Sequence, residues 1–432
     1  MLRKLFYPHS LIVTCLMFLL IWALDIIRIN LHFLNPFNET IRDYEITDIV
    51  YSRLRGNEIK LDNRIVLVNS GHPNRDTLRM MVDRIREAGA KVVAVDMYFS
   101  EHTNSRRDSL LRLSFHRMPN VVLGARLDSL VKGTEIFKAP VDCDPFFYDS
   151  VYSGFINFVS HDTSTIRLFS AREETTEGNY LSFAAQTAKL YNPQAVERLF
   201  RRNKEVEEIY FSGNADQFVQ FESTDILDST KDLRARLRDK IVLIGFLGTY
   251  AWDNPMLDRH YTPLNPRYTG RNAPDMYGVV IHANIIRMIL DNTYVRKPSF
   301  WVNLLLTVLF FYFNIHLYYQ IFRRVSVPYQ FITRFLQLGE IIILFFIVAL
   351  LFHFYRIKMD VAYWITALLL TFDVVKFYDN VLRKRVPFIS RIPDEFPKIK
   401  RAPKRAQKAI EKPKEEQPIV APNPPKSTSE KQ

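Results

Sequence analysis

Residues 62–99 read DNRIVLVNSGHPNRDTLRMMVDRIREAGAKVVAVDMYF. The run 64–69 (RIVLVN) is short, continuous and rich in β-branched residues, as expected of a strand buried on both faces. Leu78, Met81, Val82 and Ile85 then recur at helical spacing across 75–88, with Gly89 just past the predicted helix end. Residues 91–96 (KVVAVD) form a second buried-strand run. Strand, helix and strand in this order predict a βαβ unit, with parallel strands and a right-handed crossover.

The same alternation continues outward. Residues 120–125 (NVVLGA) and 240–245 (KIVLIG) read as further buried strands. Residues 154–158 and 166–170 are expected to pair, followed by a helix over 180–190. A closing helix over 280–290 carries Ile281, Ile285, Met288 and Ile289 on one stripe. Between them, 246–277 is a long loop rich in Pro, Asn and Gly, and loops of that length in compact domains are commonly binding elements. The fold class expected is α/β, a mostly parallel sheet flanked by helices, joined to four transmembrane helices and a disordered tail.

Charge is distributed unevenly. The chain of 432 residues has a net charge of +12, which first suggests nucleic acid. From Arg383 onward, however, 14 Lys/Arg face 6 Asp/Glu, while residues 5–298 are neutral. The basic excess flanks apolar segments, the pattern of cytoplasmic membrane flanks, and a DNA-binding surface is excluded. Two cysteines, Cys15 and Cys143, sit in different phases and make neither a disulfide nor a zinc cluster, a usage that suits a bacterial protein.

Four apolar segments stand out. Residues 11–24 (LIVTCLMFLLIWAL) follow Arg3 and Lys4, and the sequence after them lacks a small-residue cleavage site, so 1–34 reads as an uncleaved signal anchor. Cleaved or not, it directs export of the domain behind it. Residues 300–322, 335–355 and 361–380 each approach the ~20 residues that cross a bilayer. The domains expected are therefore the anchor 1–34, an exported α/β domain 35–298, three membrane helices within 299–382, and a basic tail 383–432. Arg323, Arg324 and Arg334 after the second segment, and the basic tail, place both chain ends in the cytoplasm and the large domain outside the cytoplasmic membrane. Glu340, Asp373 and Lys376 fall inside these spans, where charge is costly unless paired. Glu340 and Lys376 are expected to pair between helices or to meet a partner, with snorkelling as the alternative.

Several of these blocks together resemble a known family. Residues 62–68 and Ala88-Gly89-Ala90-Lys91-Val92-Val93-Ala94-Val95-Asp96-Met97-Tyr98-Phe99 are similar to the opening of a CHASE domain of the second type. This is an extracellular sensory module associated with cyclases and histidine kinases. Gly154-Phe155-Ile156-Asn157 with Asp162, Ile166 and Arg167, then 240–245 with Asp253, Thr262 and Pro263, then Gly278 to Asn284, agree with it. The resemblance spans about residues 40–297 and implies one membrane helix before the domain and three after. Two turns depart from the family: 70–75 (SGHPNR) replaces a Trp/Pro-rich turn, and Thr163-Ser164-Thr165 replaces a Gly.

In an open parallel sheet, ligands sit outside the carboxyl ends of the strands. That gathers Asn69, Ser70, Asp96 and Gly245 around one crevice, with Asp253 in the covering loop. Asp96 and Asp253 each either bind a ligand or cap a backbone turn, since an unpartnered carboxylate there is expensive. His282 and Asn284 open the last helix, where free amides favour anions or the side chains make structural hydrogen bonds. Arg167 clamps a carboxylate or phosphate, or forms an ordinary salt bridge. Gly245-Phe246-Leu247-Gly248 is neither a dinucleotide fingerprint nor a P-loop, and His72, His102, His161 and His260 scatter through loops. No enzyme, metal or cofactor is expected.

The tail has many Pro, Lys and Glu and too few large apolar groups to fold. It suits anionic lipid headgroups or a protein partner. The expected function is a membrane-anchored sensor that binds a small molecule or envelope component and signals to a partner in trans. A homo-oligomer is compatible with this. A structural scaffold subunit and an exported hydrolase are the rival readings. A reporter joined after Gln432 is expected inside the cell; activity of an exported reporter there would reject the charge-based orientation.

Overall fold

The computed structural model describes residues 7–30, 45–54, 61–103, 105–141, 143–159, 165–248, 258–265, 273–324 and 329–393. Six strands form one parallel sheet: β1 (Asp62–Asn69), β2 (Val92–Val95), β3 (Val121–Ala125), β4 (Tyr152–Phe155), β5 (Phe218–Glu222) and β6 (Ile241–Gly245). Their order is β4-β3-β2-β6-β1-β5. β6 lies between the first two strands, with Asn69 opposite Gly245 and Ile244 opposite Val95. The βαβ unit read from 62–99 is therefore present, with the 241–245 strand inserted at its centre.

Alternation along each strand dictates the layers. Ile65, Leu67, Val92, Ala94, Ile241 and Leu243 face one core, and Val66, Val68, Val93, Val95, Val242 and Ile244 face the other. The second core is closed by α2 (Arg75–Glu87) and α3 (Arg106–Arg117). The first is closed by α4 (Phe183–Tyr191), α5 (Pro193–Arg201) and α6 (Gly278–Asp291). The helices begin where the sequence supplies caps: Asn74 Oδ1 accepts from Thr77 N at 2.9 Å, and Ser182 Oγ accepts from Ala185 N at 3.2 Å.

One expected pairing is corrected. Tyr152–Phe155 joins the main sheet beside β3, while Leu168–Ser170 pairs antiparallel with Val206–Glu208. Among the described residues no bridge joins 154–158 to 166–170; the nearest is Val159–Leu168, one residue beyond the expected partner. The small side chain of Gly154 is what lets β4 pack: a Cβ there would lie 2.7 Å from the backbone of Phe183 at the start of α4.

The contacts divide the chain into two units, Asp25–Leu304 with Ile341–Val361, and Met1–Leu24 with Leu305–Glu340 and Ala362–Gln432. Helices α1 (Pro8–Asn30), α7 (Phe300–Arg324), α8 (Tyr329–Tyr355) and α9 (Ala362–Phe377) include the apolar segments. Among the described residues three stretches, not the expected four, are long and apolar enough to cross a membrane: Pro8–Ile26, Phe300–Arg324 and Thr333–Tyr355. The 16 α-helical residues of α9 reach only ~24 Å at ~1.5 Å per residue. Asp373 and Lys376 occupy its final turns, and the winding changes to a π-helix at Tyr378–Leu382.

The expected Glu340–Lys376 pair is also corrected. Glu340 accepts hydrogen bonds from Tyr318 Oη at 2.9 Å and Asn314 Nδ2 at 3.2 Å. Asp373 pairs with Arg334 at 3.0 Å, and the Lys376 ammonium lies 6.0 Å from the Phe372 ring. Neutral donors on α7 satisfy the Glu340 carboxylate without the desolvation of a second charge. At the start of the tail, Arg383–Arg385 and Pro387–Ser390 are helical; the disorder expected beyond 393 lies outside the described residues.

Gly154→Ala is expected to destabilise the domain by about 2 kcal/mol or more, because backbone atoms cannot rotate away from an inserted methyl. Thermal melting of the purified full chain measures this, and a loss below ~0.5 kcal/mol would mean that β4 and α4 approach less tightly.

Candidate functional site

At the carboxyl ends of β1, β2 and β6 the chain leaves a crevice of about 780 Å³. The loop after β1 supplies Ser70, His72, Asn74 and Arg75, and the loop after β2 supplies Asp96, Tyr98 and Phe99. Phe246 follows β6, and Asp258 precedes α6 in sequence. This is where an open parallel sheet offers backbone groups and side chains that no neighbouring strand consumes.

Asp96 carries the site. Its backbone N–H continues the ladder to Ile244 O at 2.8 Å, yet among the described residues no donor meets its half-buried carboxylate. Burial, and then the nearby Asp258 carboxylate, push the Asp96 carboxyl up to about 8. Asp258 is itself raised to about 6 by burial, although its side chain stays 42% exposed and the Gly278 amide lowers it. Among the described residues the Asp96 side chain caps no backbone turn and meets no donor, and it lines the crevice.

The walls are aromatic and partly cationic. His72 lies against Phe246 with ring centres 5.1 Å apart. The Arg75 guanidinium sits 4.9 Å from both Phe99 and Phe147 and is anchored by Asp108 at 3.3 Å. Tyr98 is 45% exposed, with Arg126 over its ring.

The other expected site residues prove to be scaffolding. Asn69 Nδ2 donates to Glu222 at 2.8 Å and to Gly248 O at 2.6 Å, while its Oδ1 accepts from Gly71 and Leu247 amides. It ties the ends of β1, β5 and β6 together and has no capacity left for a ligand. Gly245 admits α6, since a Cβ would lie 2.7 Å from that of Val279. Asn284 Oδ1 accepts from Ser212 N at 2.7 Å, and its Nδ2 donates to the Gly213 and Val280 carbonyls. His282 is buried between Phe158 and Phe183, and burial, then His260, press its imidazole down to about 3, so it is neutral. Arg167 pairs with Asp48 and Glu45. Asp253 and His161 lie outside the described residues.

Of the expected residues, Ser70 and Asp96 line the crevice directly. The sequence reading missed Arg75, Tyr98, Phe99 and Asp258. The first three lie within a few positions of strand ends already read, so following each strand into its loop finds them. Asp258 is brought in only by the tertiary fold. His102 pairs with Asp144 at 2.5 Å, and among the described residues no group of three His, Cys, Asp or Glu could hold a metal.

A family model described as the CHASE2 domain matches residues 59–315. Comparison with curated proteins and with solved structures returns no match.

The raised Asp96 carboxyl has a signed consequence. Its contribution to stability is complete below the unfolded value near 3.8 and is lost as pH rises through about 8. The melting temperature of Asp96→Asn relative to the parent should therefore be higher at pH 9 than at pH 5, by thermal scanning of the full chain. An equal difference at both pH values would mean that Asp96 is ionised throughout.

Proposed function

Because this chain belongs to the CHASE2 domain family, whose members are extracellular sensory domains, we propose that it is a membrane-anchored sensor. Its domain binds a small molecule or an envelope component in the crevice and passes a change to a partner protein in trans. The observation that carries this reading is the Asp96 carboxylate, which has no donor among the described residues and lines a crevice outside the strand ends. A fold that satisfies Asn69 and Asn284 completely, yet leaves this carboxylate open to the crevice, keeps a costly group where a ligand can use it. We read the crevice as a binding site with no catalytic step of its own.

The domain is placed outside the cytoplasmic membrane and both chain ends inside. The neutral composition of 5–298 and the basic excess from Arg383 support that orientation. The helical stretch from Ala362 is then the last crossing, resting on charge distribution more than on apolar length. The basic tail suits anionic lipid or the partner.

Full-length protein in lipid nanodiscs, screened by thermal shift against metabolites and ions, tests the proposal. A ligand at 100 times its Kd adds ~2.7 kcal/mol, and the shift should vanish in Asp96→Asn and persist in the surface variant Arg201→Ala. Absence of any shift, with an envelope protein co-purifying stably, would instead identify a scaffold subunit.

A further inference from the structure

The segment that joins α8 to α9 is docked rather than free. Arg356 adopts a left-handed backbone with φ of 57°, and Ile357 forms a parallel bridge with Arg296, which lies just beyond α6. Arg296 N donates to Arg356 O at 2.8 Å, and Lys358 N donates to Arg296 O at 2.9 Å. Lys358 Nζ then reaches Glu208 Oε1 at 2.7 Å and also pairs with Glu45. The other Glu208 oxygen takes Lys297 at 3.1 Å, and Arg167 pairs with Glu45 and Asp48.

One loop lysine thus closes a chain of alternating charges that runs through separated parts of the domain. Its side chain is only 18% exposed and that of Glu208 only 8%. Burial works against both the Glu45 and Lys358 charges, yet the pairing holds the Glu45 carboxyl below its ordinary value and the Lys358 ammonium above it. An apolar seam accompanies the charges: Phe352, 2% exposed, meets the Tyr51 ring edge-on at 5.2 Å, and Arg356 lies over Tyr210 at 5.6 Å.

Glu208 ends the strand Val206–Glu208, whose antiparallel partner Leu168–Ser170 comes directly after Arg167. Both acceptors of the loop lysine are therefore tied to this one strand pair, Glu208 as its member and Glu45 through Arg167. A displacement of the pair must displace Lys358, and the loop leads covalently into α8 on one side and α9 on the other.

We propose that this docked loop is the output coupling of the domain, with Lys358 as the positioning residue that imposes movements of the Leu168–Ser170/Val206–Glu208 strand pair on α8 and α9. The covalent exit from α6 into α7 is then not the sole route. The inference rests on the reading of the domain as a sensor, but its test does not use the crevice.

Hydrogen exchange of the full chain in lipid nanodiscs compares the parent with Lys358→Met and, as a second variant, Glu208→Gln. Removing one partner of a buried ion pair is destabilising, here softened by Lys297 and Arg167, so about tenfold faster exchange is expected. It should appear together in residues 356–361 and in both strands, Leu168–Ser170 and Val206–Glu208, with the crevice loop 70–75 unchanged. Lys358→Arg should retain protection, and combining Lys358→Glu with Glu208→Lys should restore part of it. Acceleration confined to 356–361, confined to the strands, or absent in both variants overturns the proposal. Such a failure leaves ligand binding at Asp96 untouched, and loss of ligand binding in Asp96→Asn leaves the coupling untouched.

Discussion

A parallel sheet whose inner strands are apolar on both sides has to be covered on both sides, and the rest of this domain is arranged around that requirement. Val66 and Val68 demand α2 and α3, while Ile65 and Leu67 demand α4, α5 and α6. With both faces sealed and the strands aligned, polar side chains at the carboxyl ends share one edge. Asn69 ends β1 between β6 and β5, and its hydrogen bonds to Glu222, Gly248, Gly71 and Leu247 fix three strand ends at once. The crevice is the space its neighbours leave.

Polar residues of the domain divide by whether the fold satisfies them. Asn69 and Asn284 have donors and acceptors on all sides, and Arg167 has two carboxylates. Asp96 is different. It is pressed toward its neutral form by burial and by Asp258, beside rings of His72, Tyr98, Phe99 and Phe246. A carboxylate held this way is an energetic cost to the fold, and perturbed groups of that kind concentrate at functional sites.

Within the other unit, charge in apolar helices is met by a different economy. Glu340 draws on a phenol and an amide, and the buried Asp379 is shared by Arg323 at 3.1 Å and Arg383 at 3.4 Å. Each carboxylate stands on one helix and takes a donor from α7, so the polar groups also fix how these helices meet.

The sequence by itself determined the βαβ core, the helix starting at Arg75, the buried 241–245 strand and the apolar segments, because each is written in local periodicity and in caps one turn long. It also located Asp96, since a carboxylate ending an apolar strand is conspicuous in one dimension. Local pattern could not show that β6 would insert between β1 and β2, that 152–155 would leave 166–170 for β3, or that Asn69 would be consumed by the strand ends around it. It gave Glu340 the wrong partner because opposite charge is visible in a sequence and the reach of Tyr318 is not. Asp258 and the Lys358 junction depend on segments far apart in the chain meeting across a packed surface. Only the tertiary structure decided those, because which donor meets which acceptor is set by how whole layers pack and not by neighbours along the backbone.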